Sequence, residues 1–132
     1  LLTEVVDAAE LLRKEGVNPS VYSLPLIKPL PKRDLLDIIS QYKLVAVFEE
    51  HALTGGISSA IAELFIDHRI ANTTLLRFGI SDRFYKKSGF QSFARNQLGL
   101  TAPHFFHKIL VTLSGQNDEN TRSHSSADKK AS

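Results

Sequence analysis

Apolar residues at Leu2, Val5, Val6, Ala9 and Leu12, with Leu11 beside them, recur at i, i+3, i+4 and i+7. That spacing predicts a first helix, stopped by Gly16. Asn18-Pro19 then introduces a short strand candidate, Val21 to Leu24. Pro25, Pro29 and Pro31 forbid regular structure, since each lacks an N–H and biases its predecessor away from helix. Pro25 to Pro31 is therefore expected as an extended crossover. Lys32 to Tyr42 returns to helical spacing with Leu35, Leu36, Ile38 and Ile39. The pattern changes at Leu44 to Phe48, an unbroken apolar run with β-branched Val45 and Val47, as in a strand buried on both faces. After Gly55-Gly56, the positions Ile57, Ala60, Ile61 and Leu64 predict another helix, closing near His68 or Arg69. Thr73 to Phe78 is the next strand, ending at Gly79-Ile80.

Ser81 to Phe90 mixes charges with aromatics and is expected as a loop, and Gln91 to Leu98 as a short helix stopped by Gly99. Thr101 is placed to cap a last helix with Pro103 in its first turn and Ile109, Leu110 and Leu113 as its packing face. From Ser114 the chain turns to Ser, Asn, Asp, Lys and His, with almost nothing to bury. The expected organisation is one domain over 1–113 and a disordered polar tail over 114–132. Helices alternating with strands argue for an α/β fold, a three-layer α/β/α sandwich on a mostly parallel sheet.

Composition narrows the function classes. The 132 residues suffice for a single core. The net charge of +2 is dispersed rather than gathered into a basic stripe, which argues against a nucleic-acid module. No cysteine is present, so neither a disulfide scaffold nor a thiol nucleophile is available. No apolar run is long enough to span a bilayer. A cytoplasmic protein is the expectation. Methionine is absent and the first helix pattern is already under way at Leu1, which reads as a fragment or the end of a longer polypeptide.

Chemistry gathers where the central strand leaves the sheet. Glu49, Glu50 and His51 arrive there together, and His with carboxylates moves protons near neutral pH. On a regular strand Glu49 and His51 share a face, so the carboxylate can orient the imidazole. The plainer reading is that these groups hydrogen-bond the following loop or a neighbouring domain. A metal site fits poorly, because adjacent strand residues point in alternate directions. Gly55-Gly56 before a helix can cradle an anion, but the spacing matches neither common phosphate-binding glycine pattern. Two glutamates upstream oppose a phosphate as well. A tight turn is the better account, and Ser58 and Ser59 read as small residues of the helix's first turn. His104 and His107 lie three apart but lack nearby ligand partners.

These pieces also carry a resemblance. Glu49-Glu50-His51, Gly55-Gly56 and Ser58-Ser59-Ala60-Ile61-Ala62-Glu63 resemble the EEH…GG…SAVAE signature of the transketolase C-terminal domain. Leu24-Pro25 with Ile27-Lys28-Pro29-Leu30 is similar to that family's LPTIKPLD segment. Arg77-Phe78-Gly79-Ile80, Asp82-Arg83-Phe84 and Leu98-Gly99-Leu100 resemble its RIGIxDRF…YGL tail, although Tyr85-Lys86-Lys87 departs from the DRFGESG form. The resemblance implies the three-layer fold with one edge strand antiparallel. It also implies a strand ahead of the first helix, so the sheet is expected to be one strand short. For the complete enzyme it implies two-carbon ketol transfer between sugar phosphates, with thiamine diphosphate and Mg held between two other domains and not by this one. This domain is then expected to act in assembly, against pyrimidine- and diphosphate-binding domains or subunits, in a homodimer or a split heteromer. Glu49, Glu50, His51, Gly55, Gly56, Asp82, Arg83 and Phe84 are its interface candidates, and no catalytic residue is assigned to it. The alternatives are a deoxyxylulose-5-phosphate synthase, a 2-oxoacid dehydrogenase β subunit, or a regulatory small-molecule-binding α/β module.

Overall fold

The continuous apolar run at Leu44 becomes β1 (Leu44–Ala52), and the second β-branched run becomes β2 (Thr74–Ile80). They lie parallel, paired from Leu44–Thr74 to Phe48–Phe78. The computed structural model describes residues 1–25, 27–80, 96 and 98–128, with side chains through residue 115. Four helices surround the pair among the described residues: α1 (Leu2–Lys14), α2 (Lys32–Ile39), α3 (Ile57–Asp67) and α4 (Ala102–Asp128).

Alternation along the strands sorts the helices into two layers. Leu44, Ala46 and Phe48 of β1 and Leu76 and Phe78 of β2 face α1 and α4, against Ala8, Leu12, Phe105 and Ile109. Val45, Val47 and Leu75 face the other way, against Ile39, Ile61, Leu64 and Phe65 of α2 and α3. The first cluster centres on three rings. Phe48 and Phe78 stack at 4.9 Å, and Phe105 meets them edge-on at 4.7 and 4.9 Å. Such offset and edge-to-face pairs add to what the buried area alone contributes.

Several expectations are corrected. Val21 to Leu24 forms no strand. A strand persists only by pairing, and a cleft separates this segment from the near edge of β1. The antiparallel edge strand implied by the resemblance is not among the described residues, where the sheet has two parallel strands. α2 ends at Ile39 rather than Tyr42. α4 is drawn from Ala102 to Asp128. Thr101 contributes its carbonyl, which accepts from the Phe105 amide at 3.0 Å, while the Ala102 amide donates to Glu4 Oε2 of α1 at 2.7 Å. The expected loop over 81–90, with Asp82, Arg83 and Phe84, and most of the expected helix over 91–98 lie outside the described residues.

Candidate functional site at the exit of the central strand

β1 loses its regular register as it leaves the sheet. Between the Phe48–Phe78 and Ala52–Ile80 pairs it takes four steps against two in β2. Extra residues of this kind re-aim side chains. Within this irregular stretch Glu49 is buried on the α3 side, and His51 is exposed.

The Glu49 carboxylate turns back onto the start of α3. Oε2 accepts the Ile57 amide at 3.0 Å, and Oε1 accepts the hydroxyl of Ser58, a side chain with no exposed surface. Gly56, at the N-cap, provides no side-chain oxygen of its own. A carboxylate eight residues upstream therefore does the work of an N-cap: it satisfies an orphan amide and places negative charge at the positive end of the helix.

The two glycines have separate reasons. Gly55 has φ +77°, a left-handed conformation that side chains disfavour. At Gly56 a Cβ would overlap Glu49 Oε2 and lie 2.8 Å from Glu49 Cδ and 2.9 Å from the Ala52 carbonyl oxygen. Ser59 completes the loop, accepting the Gly55 amide at 3.0 Å and donating to the Leu53 carbonyl at 2.8 Å. The Leu53 amide in turn donates to Ile80 O at 3.0 Å, tying the loop to the end of β2.

The geometry divides the candidates. Glu49 holds Ile57 and Ser58, and Ser59 holds Gly55 and Leu53, whereas Glu50, His51 and Ala52 at the end of β1 and Gly55 in the turn are exposed. Ser58 and Ser59 are the residues sequence reasoning undervalued. Their signal was a pair of hydroxyls just past a glycine N-cap, opposite a carboxylate at a strand's end. An incoming phosphate at α3 meets a position already filled by the chain's own anion. Among the described residues, no three His, Cys, Asp or Glu side chains come together as a metal site. His104 packs its ring edge-on to Phe78 at 6.3 Å, and Lys108 Nζ lies 5.4 Å from the Phe78 ring centre. No helix among the described residues is long and apolar enough to cross a membrane.

Comparison with known proteins supplies the context for this geometry. The family model for Transketolase, C-terminal domain, matches residues 1–104. A 1-deoxy-D-xylulose-5-phosphate synthase of Natranaerobius thermophilus is 29% identical over 119 residues, covering 90% of this chain and 19% of that protein. One subunit of an apulose-4-phosphate transketolase of Actinobacillus succinogenes is 36% identical over 99 residues, 75% of this chain and 32% of that one. Among solved structures, a split-gene transketolase, described as an inactive beta4 tetramer, superposes with a TM-score of 0.73 at 24% identity. That match covers 85% of this chain and 36% of the other, and it shows the three-layer α/β fold. The chain thus spans a third or less of these curated relatives.

Proposed function

Because the chain belongs to the Transketolase, C-terminal domain, family, we propose that it is the assembly domain of a thiamine-diphosphate-dependent transketolase-like enzyme. The whole enzyme transfers two-carbon ketol units between sugar phosphates in the cytoplasm. This domain packs against the pyrimidine- and diphosphate-binding domains or subunits and helps to fix the homodimer or split heteromer. One observation carries the reading: the most reactive-looking carboxylate, Glu49, is consumed in bracing the start of α3, and the end of β1 presents Glu50 and His51 outward beside that braced turn. A braced, exposed loop suits a protein contact, because little conformational freedom is lost when a partner binds it.

The described residues do not fit thiamine diphosphate and Mg. The glycine-led helix start is occupied by a carboxylate of the same charge sign as a diphosphate, and no carboxylate cluster stands ready for the metal. Our reading assigns the cofactors to the other domains.

The test is His51→Ala in the complete enzyme. A weaker dimer, seen as a lower mass on dilution, is expected, with turnover per assembled enzyme unchanged. Loss of turnover with dimer mass and cofactor binding intact would show that His51 acts in the chemistry instead. The relatives' names support a second branch, 1-deoxy-D-xylulose-5-phosphate synthesis. Assaying the complete enzyme for that product beside sugar-phosphate ketol transfer decides between them.

A further inference from the structure

The last turn of α3 carries two residues for which the domain itself gives no reason. Arg69 has φ +50°, the one non-glycine residue with a left-handed backbone among those described. It stands in a helix stop that the chain builds twice. α1 closes with the Gly16 amide donating to Arg13 O at 3.1 Å and the Val17 amide to Leu12 O at 3.0 Å. α3 closes in the same way, with the Arg69 amide to Ile66 O at 3.1 Å and the Ile70 amide to Phe65 O at 2.9 Å. The left-handed position of this motif favours glycine, and α1 has Gly16 there with φ +80°. α3 keeps an arginine, whose exposed side chain makes no ion pair or hydrogen bond among the described residues.

Ile66, one turn earlier, is 76% exposed, more than any other large apolar side chain described. Glu63 precedes it by three residues, and is likewise exposed and without an ion pair among the described residues. Residues three apart on a helix are surface neighbours. An acid, an apolar side chain and a base therefore follow one another as Glu63, Ile66 and Arg69. Turned end for end about its middle, this series faces its own complement: the apolar centre meets itself, and each acid meets a base. Such a stripe fits a second copy related by a two-fold axis, the commonest symmetry of protein pairs. A strained surface residue with no local gain is explained by what its side chain reaches outside the domain.

We propose that two copies of this chain meet through the last turns of α3, antiparallel, with Ile66 at the two-fold axis. Glu63 of each copy then faces Arg69 of the other. One pair of helix ends covers less than the about 1,200 Å² of a stable complex, so the contact is weak by itself. α3 starts beside Glu49 at the exit of β1 and has 11 residues. Its last turn therefore lies about 16 Å along the helix from the Glu50 and His51 end. The two surfaces can be engaged at once, and this contact stands whether or not the strand exit serves in assembly.

Charge reversal tests this register. Sedimentation equilibrium of the purified chain over a range of concentrations, at low salt so that the charges act, measures self-association. Glu63→Arg and Arg69→Glu, made singly, turn both pairs repulsive, and each is expected to weaken association about tenfold or more. Mixing the two variants brings unlike charges together again, and is expected to restore a pair made of one copy of each. Ile66→Asp is expected to abolish it. Arg69→Gly separates the contact from the fold: association weakens while the urea midpoint rises, because the backbone strain is relieved. A chain that stays monomeric at every concentration overturns the proposal and leaves Ile66 and Arg69 to an unlike partner. An association that the reversals do not touch, or that the mixture fails to restore, also overturns it. So does one that His51→Ala weakens instead, because the pair then forms through the strand exit.

Discussion

At the scale of single residues, Glu49 decides the most. Glu49→Ala leaves the Ile57 amide without its acceptor and the buried Ser58 hydroxyl with only the Leu53 carbonyl at 3.5 Å. Donors weakened in this way cost about 1–3 kcal/mol, which urea unfolding of the purified chain will measure. Gly56→Ala alone must expel the same carboxylate, because its Cβ and Glu49 Oε2 compete for one place. The two substitutions are therefore non-additive. In a Glu49→Ala background the Gly56→Ala cost is expected to fall by about 1 kcal/mol or more. It does not vanish, because the Ala52 carbonyl still lies 2.9 Å from the added Cβ. Additive costs would mean that Gly56 is needed for the turn alone. A second residue-scale prediction concerns the segment opposite β1, where Tyr42 Oη donates to Ser20 Oγ at 2.8 Å and shares a 3.1 Å hydrogen bond with Tyr22 Oη. The hydrogen bond with Ser20, then that with Tyr22, holds the Tyr42 phenol below its ordinary value, because each hydroxyl can turn to donate to the phenolate, whereas the bond to Tyr42 raises that of Tyr22. Titration followed by ring NMR signals is expected to show Tyr42 ionising first, and Ser20→Ala to move its midpoint upward. An unmoved midpoint would mean that Ser20 does not hold this segment.

At the scale of elements, the test lies where α4 meets the sheet. Phe105 has no exposed surface and touches both Phe48 and Phe78. Phe105→Ala is expected to destabilise the chain by about 3–5 kcal/mol, read from the denaturation midpoint at constant slope. A loss below about 1 kcal/mol would mean that α4 is not docked on the strands. Elements whose apolar period is complete in their own residues were legible: α1, α3, β1 and β2 stand within a residue or two of expectation, except where β1 runs on to Ala52. Elements that depend on a distant partner were not. Val21 to Leu24 has strand composition but no paired neighbour. The Glu4 contact at the start of α4 joins residues 98 apart, beyond the reach of any local pattern. The extra residues in β1 between Phe48 and Ala52 leave no mark in the hydrophobic alternation. Within the site, the glycines and carboxylates were visible as types, but which carboxylate faced inward was not.

At the scale of the whole molecule, the domain is two unlike halves back to back on a narrow sheet. The α2–α3 half is assembled from residues 35–75, close together along the chain. The α1–α4 half joins residues 1–17 to residues 98–113 across the entire domain. The assembly prediction belongs at this scale. If Glu50 and His51 meet a partner, combining His51→Ala with Glu50→Ala should weaken association more than either alone while the monomer's unfolding midpoint holds. A shifted midpoint with unchanged association would place both residues in the domain's own stability. The Glu4–Ala102 contact has a temporal meaning as well. On a ribosome the local half can close as soon as β2 emerges, and α1 can then meet the strands, but Glu4 must wait for Ala102 and the α1 face for its second cover, α4. Until Phe105 and Ile109 emerge, Ala8 and Leu12 have only the strand residues against them, and a nascent chain stalled before Ala102 presents a half-covered apolar face to chaperones.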